Sequence, residues 1–180
     1  RMGWPEGAFV VGLTGSFDER KGVLRLKEAV EKTSGVYYAC AGKGALDPSG
    51  DKCLLSSPVD NAELPWYLSA LDAFVLPTHN EGCCTATVEA ISCGLPIVSS
   101  DRSFNYDICG EDNSILVDPD DIGAIAAAIE RLRDDAGLRA RLARGSLDRA
   151  PGLDLRKRVA SIAKWMDEMS DGAVQACRLG

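Results

Sequence analysis

Six short runs of apolar residues punctuate the chain, at 8–14, 36–41, 53–56, 73–77, 96–100 and 115–117. Each run is nearly continuous and does not alternate with polar residues, the pattern of strands covered on both faces. Between most of them the apolar positions take helical spacing. Val23, Leu26 and Val30 fall at i, i+3, i+7 after the first run. Cys84, Val88 and Ile91 fall at i, i+4, i+7 after the fourth, and Ile122, Ile125, Ile129 and Leu132 at i, i+3, i+7, i+10 after the sixth. After the third run, Asp60 predicts a helix cap with Glu63 reaching back, a capping box with Asp in place of Ser or Thr. Asp120 or Asp121 is the expected cap of the helix after the sixth. Strand and helix therefore alternate, which predicts parallel βαβ units in a doubly wound, Rossmann-like α/β sheet of about six strands with helices on both faces.

Two more helical stretches follow. Residues 138–150 are rich in Arg and Ala, and Pro151-Gly152 breaks them; Leu155, Val159, Ile162 and Met166 then form another apolar stripe. The residues from Ser170 onward read as a frayed end. There is no internal repeat or low-complexity linker, and 180 residues are read as one domain with room for a core.

Composition narrows the function classes. Apolar residues make up 46% and charged residues 26%, as in an ordinary globular chain. No apolar run is long enough to cross a bilayer, and residues 1–7 carry no apolar stretch of signal-peptide type. The Arg ahead of Met2 suggests a start inside a longer protein. A net charge of −7 disfavours nucleic acid as a partner, but a few amides and one lysine can still hold phosphate on an acidic protein. The seven cysteines are odd in number and form no Cys-x-x-Cys pair, so neither a disulfide framework nor a zinc site is expected, and a reducing cytoplasm is the natural compartment.

In such a sheet, ligands bind beyond the carboxyl ends of the strands at the switch point, so the loops after strands one and four matter most. The first, Gly15-Ser16-Phe17-Asp18-Glu19-Arg20-Lys21-Gly22, places Lys21 where the next helix begins. A phosphate there would meet free amides, a helix dipole and an ammonium together. It matches neither a P-loop nor the dinucleotide fingerprint, and on its residues alone it reads equally as a solvated surface turn. The second runs Thr78-His79-Asn80-Glu81-Gly82-Cys83-Cys84-Thr85. Gly82 is expected to open a helix that Gly94-Leu95-Pro96 ends, with Glu89 two turns inside it among Ala, Val and Ile. A carboxylate on such a face needs a partner. A pair of sugar hydroxyls is one, since a carboxylate accepts two hydrogen bonds; a nearby Arg is another.

Glu81, seven residues, Glu89, then Ala90-x-x-Cys93-Gly94-Leu95-Pro96 resembles the large group 1 (family 4) of retaining glycosyltransferases. Val11-Gly12-Leu13-Thr14-Gly15-Ser16 with Lys21-Gly22 is similar to that family's first strand and diphosphate loop. Ala41-Gly42-Lys43-Gly44, Leu71-Asp72-Ala73-Phe74-Val75-Leu76-Pro77 and Ile115-Leu116-Val117-Asp118-Pro119 follow in the family's order. The resemblance covers residues 8–145. It implies the C-terminal, nucleotide-sugar-binding half of a GT-B enzyme. The acceptor, a glycan or lipid, would be held by an N-terminal domain outside this sequence, and the stripe at 151–169 would pack on that domain. The implied enzyme transfers a hexose-type sugar from a nucleoside diphosphate sugar, needs no metal or other cofactor, and is cytoplasmic with room for peripheral membrane association.

The same resemblance assigns roles. Glu81 would orient the donor sugar and stabilise an oxocarbenium-like transition state, and Lys21 would neutralise the departing diphosphate. Glu89 would bind the ribose. Gly15 and the amides of Gly82, Cys83, Cys84 and Thr85 would approach sugar and phosphate, and Gly44, Pro58 and Val59 would lie near the base. Two departures stand out. Ser16 occupies the place of a usual Arg, which Arg20 is expected to replace, and Cys84 stands where Gly is frequent. His79, the sole histidine, is expected to be a loop residue or substrate contact, Asp72 a turn residue, and the cysteine pair 83–84 packing rather than a nucleophile. A non-catalytic nucleotide-binding module, or half of a nucleotide-sugar epimerase, are the alternative readings, and the 180 residues alone are expected not to transfer sugar.

Overall fold

A computed structural model describes residues 3–82, 84–154, 156–157 and 159–166. Its six strands are β1 (Phe9–Phe17), β2 (Val36–Gly44), β3 (Cys53–Ser57), β4 (Ala73–Leu76), β5 (Ile97–Ser100) and β6 (Ser114–Val117). They form one sheet in the order β3-β2-β1-β4-β5-β6, every pairing parallel. The helices between and after them are α1 (Val23–Glu31), α2 (Leu64–Ala70), α3 (Thr85–Ser92), α4 (Ile122–Asp134) and α5 (Ala136–Arg149). Short 3-10 turns occupy Ser103–Asn105 and Ala150–Leu153. This is the expected Rossmann-like architecture with helices on both faces.

The apolar stripes explain the packing. Val23, Leu26 and Val30 of α1, and Ile125, Ile129 and Leu132 of α4, are fully buried. They face a core built with Leu13, Tyr38, Tyr67, Phe74, Leu76, Ile91 and Ile97. Burying each large side chain stabilises the fold by about 1.5–3 kcal/mol relative to exposure, so these stripes decide which helix face turns inward.

The helix ends follow local chemistry, with corrections to the expected boundaries. Asp121 caps α4 by accepting the Ala124 amide at 2.8 Å, and Asp135 does the same for α5 from Leu138 at 2.8 Å. The expected capping box at Asp60 does not form. Glu63 precedes α2 without a side-chain bond, and it is the Asp60 carbonyl that accepts the Glu63 and Leu64 amides. Pro65 supplies the preset φ of a first helical turn there. The helix expected to open at Gly82 instead opens at Thr85, so Glu89 stands about one turn inside it. It ends as expected, with the Gly94 and Leu95 amides folding back on the Ile91 and Ala90 carbonyls.

β1 and β2 also run further than their apolar residues suggested. Gly15, Ser16 and Phe17 are strand, in register with Gly42, Lys43 and Gly44. A Cβ on Gly42 would lie 1.8 Å from the Gly15 carbonyl oxygen, so the two chains come this close only because glycine is there. The polar turn is thereby shortened to residues 18–22.

After the last turn, residues 156–157 and 159–166 are helical, with Val159, Ile162, Trp165 and Met166 exposed. Leu155 of the expected stripe, its continuation from 167 and the expected fraying from 170 lie outside the described residues. Among those described, no helix is long and apolar enough to cross a membrane.

Candidate functional site

From β1 the chain winds outward to β3 and then returns to β4 on the other side of β1, so the order reverses between β1 and β4. At that point the helices diverge and leave a crevice beyond the carboxyl ends. A cavity of about 500 Å³ opens there. Its wall includes Gly15, Ser16, Lys21, Pro58, Val59 and Glu89, and Thr85 with Ala86 bring the N-terminal end of α3 to it. A larger cavity, about 830 Å³, lies across Thr85 and Glu89, between α3 and residues 150–154, Lys157 and Ser161. Lys21 and Lys43 line the smaller one, whereas Arg20 and Glu81 stand beside it, in contact with its wall through Lys21; these cations mark it as the candidate site.

The turn 18–22 is shaped by its own carboxylate. Asp18 accepts from the Ser16 hydroxyl at 2.6 Å and from the Lys21 amide at 2.9 Å. The Ser16 bond, with the Lys21 amide and the charges of Arg20 and Lys21, holds the Asp18 carboxyl below the ordinary aspartate range. Two staples then join this turn to the loop after β4. The Arg25 guanidinium donates to the carbonyls of Glu19 and Pro77, at 2.8 and 3.0 Å. The His79 amide donates to the Arg20 carbonyl at 2.9 Å. Gly22 permits this closeness: its φ is 74°, and a Cβ would fall 2.3 Å from the Pro77 carbonyl oxygen.

The staples bring Lys21, Arg20 and Glu81 together. Lys21 Nζ lies 2.6 Å from Glu81 Oε1, and Arg20 Nη1 lies 3.2 Å from the same oxygen. Thr78 Oγ1, fully buried, reaches that oxygen too at 3.1 Å. Arg20 Nη1 also donates to the Asn80 carbonyl at 3.1 Å. The side chains of Lys21 and Glu81 are only 12% and 8% exposed, against 46% for Arg20. Beneath them, the hydroxyls of Ser99 and Ser100 on β5 donate to the Leu76 and Thr78 carbonyls, at 3.0 and 2.5 Å, and hold the loop from below.

Glu89 is different. It is exposed on α3 at the wall shared by the two cavities. No hydrogen bond or ion pair reaches its carboxylate among the described residues, so none of the described arginines is the partner expected as the alternative. Partial loss of solvent raises its pKa above the ordinary glutamate value.

Gly44 does not line the cavity; it packs its bare Cα against Phe17, where a Cβ would fall 2.3 Å from the carbonyl oxygen. Cys84 is buried as the residue preceding α3, with its sulfur 2.9 Å from Thr87 Oγ1, and burial pushes its thiol pKa up. That favours packing over nucleophilicity. Gly82 is exposed in the loop, and Cys83 lies outside the described residues. His79 pairs with Asp120, its Nε2 2.6 Å from Asp120 Oδ1. Asp118-Pro119-Asp120 has an Asp-x-Asp spacing. Asp118 pairs with Arg102 and Asp120 with His79, and no cluster of three or more potential ligands forms among the described residues. Sequence reasoning missed Arg25, Thr78, Ser99 and Ser100, because none belongs to a motif; only their place beside the two loops marks them.

A family model described as "Glycosyl transferases group 1" matches residues 8–135. The lipopolysaccharide core biosynthesis glycosyltransferase LpsD of Rhizobium meliloti (strain 1021) is 33% identical over 150 residues, covering 78% of this chain and 44% of that protein. Among solved structures, sucrose-phosphate synthase from Thermosynechococcus elongatus superposes with a TM-score of 0.81 at 23% identity, over 94% of this chain and 47% of that one. Anabaena Alr3699/HepE, solved in complex with UDP, gives 0.79 at 19% identity, over 89% and 49%. The chain thus spans less than half the length of each of these proteins. It belongs to the group 1 glycosyl transferases.

Proposed function

We propose that this group 1 glycosyl transferase chain is the donor-binding half of a retaining, metal-independent enzyme that moves a hexose-type sugar from a nucleoside diphosphate sugar to a glycan or lipid-linked acceptor. The observation that carries the reading is Lys21, which lines the switch-point cavity and there meets Glu81, the carboxylate that Arg20 also reaches from beside it. Two cations beside a crevice of this fold suit a diphosphate. The UDP complex of the similarly folded Alr3699/HepE supports the same ligand class, and the lipopolysaccharide role named for LpsD supports a glycan acceptor.

In this reading Lys21 and Arg20 meet the phosphates. The departing diphosphate gains charge in the transition state, so both cations act on the barrier as well as on binding. Loss of one such group costs about 3 kcal/mol of transition-state stabilisation. Arg20 supplies the second cation, since Ser16 is engaged with Asp18. Glu89, a carboxylate at the cavity wall with no partner among the described residues, accepts two ribose hydroxyls, and Pro58 and Val59 flank the base. Glu81 orients the sugar. The acceptor site belongs to chain beyond these 180 residues, so these residues alone bind donor without transferring it. The exposed stripe Val159, Ile162, Trp165 and Met166 suits the contact with that missing half.

A thermal-shift panel with UDP, GDP, ADP and CMP tests the reading. A ligand in hundredfold excess over its dissociation constant stabilises the native state by about 2.7 kcal/mol. One diphosphate should raise the midpoint, and Glu89→Ala should abolish the rise. A flat response to all four removes the donor-site reading.

A further inference from the structure

We infer that Glu81 competes with the incoming diphosphate for Lys21 and Arg20, and that this competition makes the site favour a nucleotide-sugar over the bare nucleoside diphosphate. The inference rests on the donor-site reading and adds a source of ligand discrimination to it.

Before any ligand arrives, one oxygen, Glu81 Oε1, gathers Lys21 Nζ at 2.6 Å, Arg20 Nη1 at 3.2 Å and Thr78 Oγ1 at 3.1 Å. The carboxylate occupies the cations that a phosphate would seek. The Lys21–Glu81 pair is nearly closed to water, so parting it leaves a poorly hydrated charge on each side. A diphosphate must therefore draw the cations away from Glu81 to form its own charge-assisted bonds.

What remains for Glu81 decides the outcome. The Thr78 hydroxyl has a single proton, shared between Glu81 and the Asn80 carbonyl at 3.3 Å, and it cannot satisfy the carboxylate alone. A bare nucleoside diphosphate adds negative charge beside Glu81 and offers no donor in return. A nucleotide-sugar brings hydroxyls that donate to the freed carboxylate and offset the lost ion pairs. The competition thus weakens the spent diphosphate most, which favours its departure after transfer.

The test is calorimetric titration of this chain with UDP, GDP and ADP, and with the glucose conjugate of whichever binds. Glu81→Gln and Glu81→Ala both remove the carboxylate charge, so the outcome does not hang on the folding of one variant; thermal midpoints check both. Each should bind the bare diphosphate about tenfold more tightly than wild type, and the glucose conjugate should not gain equally. With both cations removed, in a Lys21→Met and Arg20→Met background, the tightening should fall well below that seen in the wild-type background. Unchanged or weaker diphosphate binding by the Glu81 variants overturns the inference alone, as does a gain of full size with both Lys21 and Arg20 removed. A wild-type chain that binds none of the three diphosphates overturns the donor-site reading, and the inference with it.

Discussion

Asp72 holds Val10 by both of its backbone groups: its carboxylate accepts the Val10 amide at 2.8 Å, and its own amide donates to the Val10 carbonyl at 2.8 Å. This bracket ties the entry of β4 to β1 across sixty-two residues of chain. It lies at the amino ends of the strands, opposite the cation cluster. Asp72→Ala leaves a part-buried amide without its acceptor and should lower stability by about 1–3 kcal/mol. Asp72→Asn keeps an acceptor oxygen and should lose less. Urea unfolding measures both, and nucleotide affinity of the folded variants should stay at the wild-type value.

Tyr67 fastens α2 to the sheet. Its hydroxyl is fully buried, 3.0 Å from the Leu13 carbonyl oxygen and 2.8 Å from that of Ala39. Tyr67→Phe preserves the ring and removes the hydrogen bond, so the expected loss is about 1 kcal/mol. Chemical denaturation at neutral pH gives the number, and no change would mean that the hydroxyl is not holding β1 and β2.

Gly42→Ala should be far more damaging than its size suggests. The added methyl meets the Gly15 backbone 1.8 Å away, and backbone cannot swing aside as a flexible side chain can. The end of β2 would part from β1 where Gly15 and Ser16 enter the cavity wall. The expected cost is about 2 kcal/mol or more, together with weaker diphosphate binding. Retention of wild-type stability and affinity would count against the close approach.

The Asp112–Arg149 pair ties the start of β6 to the end of α5. Arg149 Nε and Nη2 each meet one Asp112 oxygen at 2.7 Å. That bond, aided by the charge, lowers the Asp112 pKa from its ordinary value. A depressed carboxylate pKa adds stability above the unfolded-state value of about 3.9 and loses it as pH falls through the folded-state value. The pair is about half exposed, so Asp112→Asn should cost only about 0.5–1 kcal/mol at pH 7. The difference from wild type should shrink in melts as pH falls below about 3.9 and vanish once pH lies below the folded-state value. A difference that persists there would assign the effect to something other than the charge.

The sequence carried the layer plan well, because continuous apolar runs and helical stripes are direct records of burial. It did not carry the order of the strands. That order follows from winding outward from β1 and then returning beside it, which no local pattern encodes. The strand ends at Gly15–Phe17 and Gly42–Gly44 escaped notice for a related reason: glycine, serine and lysine have no apolar signature, and what unites them is backbone proximity. The motif Glu81 with Glu89 drew attention to this stretch but not to its contrast, one carboxylate held by two cations and the other without a partner among the described residues. Arg25 acts through the Pro77 carbonyl, fifty-two residues away, and Thr78 through a loop geometry that its neighbours' identities do not specify, so only the folded chain reveals them.

β1 is bound to β2 along its whole length, from Phe9 beside Val36 to Phe17 beside Gly44, yet it meets β4 only at Val11–Ala73 and Gly12–Phe74. The sheet is thus two halves joined by a narrow seam, with the Asp72 bracket below it and the ligand crevice above. Partial opening should run along that seam, so the two halves would behave as separate cooperative units in native-state hydrogen exchange. The turn bearing Lys21 belongs to one half and the loop bearing Glu81 to the other. A ligand gripped by both would act as a bolt across the seam. Its binding should therefore slow exchange at Val11, Gly12 and Phe74, where no ligand touches.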